Sequence, residues 1–213
     1  MTNLATASEL LAAFRSTSLK KAVRNIETKV IGLTKTNATP QLGDLGVSME
    51  LMLAALLIKK HSNQISEIIH AIGILLVLPS ILEPGEIIES LSLAAGNTGK
   101  GFDLETNRRI AEFTFIQWQG GSESIRQNKI FKDFYFLAEA NTTKRRELYV
   151  AGLDYPTKFF NSGRAIDEIA KNNRKLGAAI KLPPDVRTVR DYYTPRKQLV
   201  AIKDLCELIP ALR

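Results

Sequence analysis

Apolar residues recur at helical spacing over residues 7–31: Leu10, Leu11 and Phe14, then Val23, Ile26 and Val30, with basic residues between them. Ser8 is the expected N-cap of this stretch. Residues 34–46, TKTNATPQLGDLG, are polar and rich in turn formers, and they read as a linker. Helices are expected over 47–60 and 64–78, both apolar on most sides and so placed inside the protein or against a sheet. Pro79 and Pro84-Gly85 are expected to end this helical part.

The pattern then changes from a helical to a strand period. EIIESLSLAAG, 86–96, sets Ile88, Ser90 and Ser92 against Glu89, Leu91 and Leu93. GFDLE from 101 and RRIAEFTFIQW from 108 read as two more strands, and RELYVAGL, 146–153, as a fourth. Between the third and fourth, ESIRQNKIFKDFYFLAEA, 123–140, is an amphipathic helix. The tail from 163 is expected to hold two helices around a polar connector. This order predicts an α/β fold, a mixed central sheet of about four strands flanked by helices. Residues 1–82 form a helical N-terminal region, and 83–213 form the α/β core with a helical C-terminal tail.

Composition narrows the chemistry. The chain has 213 residues, a formal charge of +7 and a single cysteine, Cys206. One cysteine excludes an internal disulfide and a cysteine-rich zinc site, and Cys206 is expected as a core thiol on a C-terminal helix. His61 and His70 lie nine apart, which is not a metal-ligand spacing. The positive charge favours polyanionic partners, nucleic acid or an acidic surface. The longest apolar run, 71–82, is too short to span a bilayer and contains Pro79. A cytoplasmic protein with no membrane partner is expected.

Within the third strand, Ile110, Glu112, Thr114, Ile116 and Trp118 share one face; Ala111, Phe113 and Phe115 share the other. Both faces are mainly apolar, so Glu112 is expected to be partly buried, where a lone carboxylate is costly. A hairpin turning about Asn107-Arg108 sets Glu105 opposite Ile110, Leu104 opposite Ala111 and Asp103 opposite Glu112. Directly opposed like charges repel. Three outcomes relieve this: a divalent cation between the acids, a salt bridge from Glu112 to Arg108, Arg109 or Arg126, or a hairpin in another register, since Asn-Arg is not a preferred two-residue turn.

An acid on one strand, a short connection, then an acid with a polar residue two positions on resembles the PD-(D/E)xK nuclease superfamily. Asp103 matches the first acid, and Glu112-Phe113-Thr114 matches the (D/E)xK element with Thr114 in place of lysine. Gln127 followed by Phe131 resembles the Gln-x-x-x-Tyr motif of the recombination-exonuclease branch. Glu89, or Glu67 on an earlier helix, resembles the additional acid of some members. Lys129 and Lys132 on the next helix resemble lysines recruited in place of the missing one, while Arg126 offers charge without being a good proton acceptor.

The resemblance covers about residues 86–153. It implies a restriction-endonuclease-like core and a deoxyribonuclease using Mg2+ or Mn2+, of the kind found in restriction or phage defence. It further implies metal held by Asp103, Glu112, the Phe113 carbonyl and Glu89. Expected nucleic-acid contacts are Arg126, Lys144, Arg145, Arg146, Arg174, Lys175, Arg190, Tyr192, Arg196 and Lys197, with DNA or RNA as partner. Two other readings stand beside it: a nucleic-acid-binding module that has lost catalysis with the lysine, or a helical interaction subunit. A homodimer or larger assembly is left open.

Overall fold

The computed structural model describes residues 3–59, 65–93, 101–118 and 123–213. The chain divides into two compact units, Met1–Phe115 and Ile116–Arg213. The division falls at 115/116 rather than at the expected 82/83, because the first three strands group with the N-terminal helices. Among the described residues are five strands and eleven α-helices, an α/β chain with antiparallel and parallel pairings.

The first unit opens with α1 (Leu4–Arg15) and α2 (Leu19–Lys29). The expected single stretch is broken at Ser16, whose φ of 50° is unfavourable for a side-chain-bearing residue. Asn3, not Ser8, caps α1 by accepting from the Thr6 N–H, and Ser18 caps α2. The expected linker is instead α3 (Lys35–Asp44), opened by a capping box of Thr34 and Asn37. Ala38 and Leu42 are buried one turn apart on it, so tertiary burial overrides a turn-forming composition.

The next helix, α4 (Met49–Lys59), precedes α5 (Ile65–Ile81), which continues through Pro79. Ten of α5's residues are buried, among them Ile69, Ile72, Ile74, Leu75 and Leu78, so packing holds a helix that a proline weakens. Among the described residues no single helix is long and apolar enough to cross a membrane; α3 and α4 reach that length only as a pair bent by 60°.

Three antiparallel strands complete this unit: β1 (Ile88–Leu91), β2 (Leu104–Thr106) and β3 (Arg109–Thr114). The β2–β3 register sets Leu104 opposite Ala111 and Glu105 opposite Ile110, as the symmetric hairpin requires. Thr106 stabilises the Asn107-Arg108 turn, its hydroxyl accepting from the Arg108 and Arg109 N–H groups at 3.0 and 2.8 Å. The regular alternation expected of β1 fails. A register shift between Ile88 and Ser90 leaves Ile88 and Leu91 both buried with Glu89 exposed.

In the second unit α6 (Ser124–Ala138) is followed by β4 (Arg145–Val150), α7 (Asp154–Phe160), α8 (Ile166–Lys171), α9 (Arg174–Ala179) and α10 (Val189–Tyr193). The tail thus holds several short helices rather than two, and adds an unexpected strand, β5 (Ala201–Asp204), parallel to β4. AIKD lacks an apolar face, which hides it from periodicity; backbone pairing with β4 makes it a strand. A four-residue helix, α11 (Leu205–Leu208), then carries the buried Cys206, as expected, its thiol pushed up by burial and by Asp204. Phe131, Phe134, Phe160, Tyr192 and Tyr193 form the aromatic centre of this unit.

Candidate active site

The β2–β3 hairpin positions the two acids singled out in the sequence. Asp103 lies just before β2, its backbone held by the Ser92 N–H donating to its carbonyl at 2.8 Å. Its carboxylate turns toward β3 and accepts from the Phe113 N–H at 2.9 Å. The same carboxylate lies 3.4 Å from Nε2 of His70 on α5, and both side chains are only 16% exposed. Phe113 and Phe115 stack at 6.0 Å with rings 6° apart, and His70 meets the edge of Phe115. These two phenylalanines therefore face α5. Gly73 lets α5 approach so closely, since a Cβ there would overlap the Phe115 ring.

Strand alternation sends Glu112 and Thr114 to the opposite face, where both are half-buried. The two acids flank one peptide, that of Phe113, but leave it in different directions. In an extended strand a residue's N–H and C=O point to the same side. The Phe113 carbonyl therefore lies on the side that Asp103 occupies, and Glu112 must come round the strand's edge to share an ion with it. Carboxylate and carbonyl oxygens are hard donors, and Mg2+ needs only one or two carboxylates, so this donor set is chemically suited to it. Among the described residues no group of three or more His, Cys, Asp and Glu gathers as a preformed cage. Glu67 and Glu89 are both exposed, Glu89 in the β1 register shift.

The arginines weighed as partners of Glu112 have their own acids. Arg109 is buried against Glu86, Arg108 lies 3.3 Å from Glu83, and Arg126 pairs with Glu123. The buried Glu86–Arg109 pair went unread in the sequence, where Glu86 stands at the start of a strand-like run.

In the second unit, Gln127 on α6 accepts from the Arg164 guanidinium. Lys129 and Lys132 both reach the fully buried Asp133, at 2.7 and 2.9 Å, and so neutralise a carboxylate of their own helix. Tyr192 cannot stack on bases. It is fully buried, and its hydroxyl donates to Glu139 at 2.7 Å. Burial followed by the Glu139 carboxylate drives its ionisation far above the usual tyrosine range. Arg196 lies over the Tyr192 ring at 4.1 Å and donates to Glu139 at 2.9 Å. Arg146 holds the α6–β4 connection by donating to the Ala140 and Thr142 carbonyls.

Arg145, Arg174, Lys175, Arg190 and Lys197 are exposed, and Lys144 is half-buried. His61 lies outside the described residues. His70 is the residue the sequence reading missed. A single imidazole on an apolar helix reads as core, and only the fold brings it to Asp103. No protein-family model, curated protein or solved structure matches the chain.

Proposed function

We propose that the chain is a divalent-metal nuclease acting on DNA, with its reaction centre at Asp103, Glu112 and the Phe113 peptide. The observation that carries this reading is the Asp103 carboxylate held at the N–H of Phe113, the residue next to Glu112 on β3. Asp103, Glu112 and the Phe113 carbonyl are the residues that would hold Mg2+ or Mn2+. When bound, such an ion supplies a nucleophilic hydroxide near neutral pH and charge stabilisation at a phosphodiester. The chain's own residues position and neutralise. The Phe113 N–H and His70 fix the Asp103 carboxylate, and the Thr114 hydroxyl can orient a water without contributing charge. Exposed Arg145, Arg174, Lys175, Arg190 and Lys197 suit phosphate contacts that set position without reading sequence.

The test pairs cleavage with metal binding. Plasmid and single-stranded DNA should be cut in Mg2+ or Mn2+, and Glu112→Ala and Asp103→Ala should abolish cutting. Independently of activity, an ion at a hundredfold its Kd stabilises the native state by about 2.7 kcal/mol. For a chain of this size that is a rise in Tm of roughly 5–10 °C, which Glu112→Ala should remove. No rise in the parent protein refutes the metal site.

One observation favours a second reading, nucleic-acid binding without cleavage: Thr114 stands where the family has lysine, and Lys129 and Lys132 are turned to Asp133. Binding that persists while every metal fails to support cutting selects that reading.

A further inference from the structure

We propose that Tyr155, backed by Trp118 and flanked by Lys158, is a stacking platform for an unpaired base of single-stranded nucleic acid. The inference rests on the proposed function for its class of partner, nucleic acid, and not on cleavage. Among the described residues Tyr155, at 37%, is the one aromatic ring in the set of exposed large apolar side chains. It sits on α7, and its ring stacks on Trp118 at 5.9 Å with the planes 27° apart. Trp118 is itself wedged against Phe159 and is 8% exposed, so the ring beneath Tyr155 is fixed. A platform already held in place loses little side-chain entropy when a ligand lands on it.

One further group gives the platform its chemistry. The Lys158 ammonium lies over the Tyr155 ring, 5.4 Å from its centre, and can move from ring to phosphate. Aromatic face and cation together suit a nucleotide. Bases inside a duplex are already stacked on their neighbours, so an isolated ring addresses a base that is unpaired. The net charge of +7 acts in the same direction by attracting the polyanion.

Trp118 is the chain's only tryptophan, so its emission reports on the platform directly. The full chain is titrated in EDTA, where nothing is cut, with DNA and RNA single strands and with a duplex of equal length. Single strands should quench Trp118 and bind more tightly than duplex, and the arm that quenches more strongly identifies the sugar. Tyr155→Ala should weaken single-strand binding about tenfold while Tyr155→Phe retains it. Lys158→Ala should flatten the dependence of log affinity on log salt by about 0.7. Tyr155 is exposed, and a thermal melt confirms that each variant folds.

Unchanged affinity in Tyr155→Ala, duplex bound as tightly as single strand, or no binding of single strands overturns the proposal. Quenching in EDTA by a chain that cuts nothing in any metal keeps the platform and removes the nuclease. Cutting by a chain whose binding ignores Tyr155 does the reverse.

Discussion

Replacing Arg109 by Met should cost the first unit about 3–5 kcal/mol at neutral pH, because it strands a buried carboxylate. Glu86 is fully buried and Arg109 is 2% exposed. The guanidinium grips the carboxylate at two points, Nε to Oε1 at 2.6 Å and Nη2 to Oε2 at 2.5 Å. The Thr106 hydroxyl donates at 2.6 Å and the Glu83 N–H at 3.0 Å. Burial alone would push the Glu86 carboxyl up; Arg109, Thr106 and the Glu83 N–H outweigh it and bring it to about 2 from an ordinary 4.5. At ~1.4 kcal/mol per pH unit, that fall corresponds to about 3 kcal/mol of folding free energy.

The sign follows from the depressed native value. This stabilisation is complete above 4.5 and is lost as the pH falls toward 2. In Arg109→Met only Thr106 and the Glu83 N–H still oppose burial, so the Glu86 carboxyl rises from its depressed value. Acidification should then destabilise the variant less steeply than it does the parent. Urea denaturation between pH 7 and pH 3 measures both slopes. Glu86→Leu combined with Arg109→Met should recover much of the loss, since neither charge remains buried. An Arg109→Met protein within 1 kcal/mol of the parent, with the parental pH slope, refutes the reasoning.

Two further substitutions test the packing. Gly73→Ala drives a methyl group into the Phe115 ring and should cost about 1–3 kcal/mol, read as a lower Tm and relieved by adding Phe115→Leu. Tyr192→Phe removes the hydroxyl from the partly exposed Glu139 and should cost about 1 kcal/mol in denaturant. Its affinity for nucleic acid should be unchanged; a fall would return Tyr192 to the binding surface.

The hairpin carrying the acids was legible as two short strands, but its register was not fixed by Asn107-Arg108, which is not a preferred two-residue turn. Thr106 holds that turn, and Leu104–Ala111 and Glu105–Ile110 pair symmetrically about it. The helix α6 was legible from a long clear period. What escaped depended on contacts distant in sequence. The helix α3 hangs on burying Ala38 and Leu42, and β5 on a neighbour more than fifty residues earlier. The β1 shift buries Ile88 with Leu91 against local alternation. At the site, alternation located Glu112 but could not show Asp103 turning to His70, because Asp103 precedes the strand and no period governs it.

Residues 151–200 intervene between β4 and its parallel neighbour β5, whereas two residues join β2 to β3. Closing so long a loop takes a large entropic toll before any ladder bond repays it, and high contact order slows folding. The first unit's hairpin can therefore zip while β4 still lacks this partner. Between those moments the edge of β4 that β5 will cover stays open to a wrong strand, making the late β4–β5 closure the step at which refolding at high concentration should lose material to aggregation.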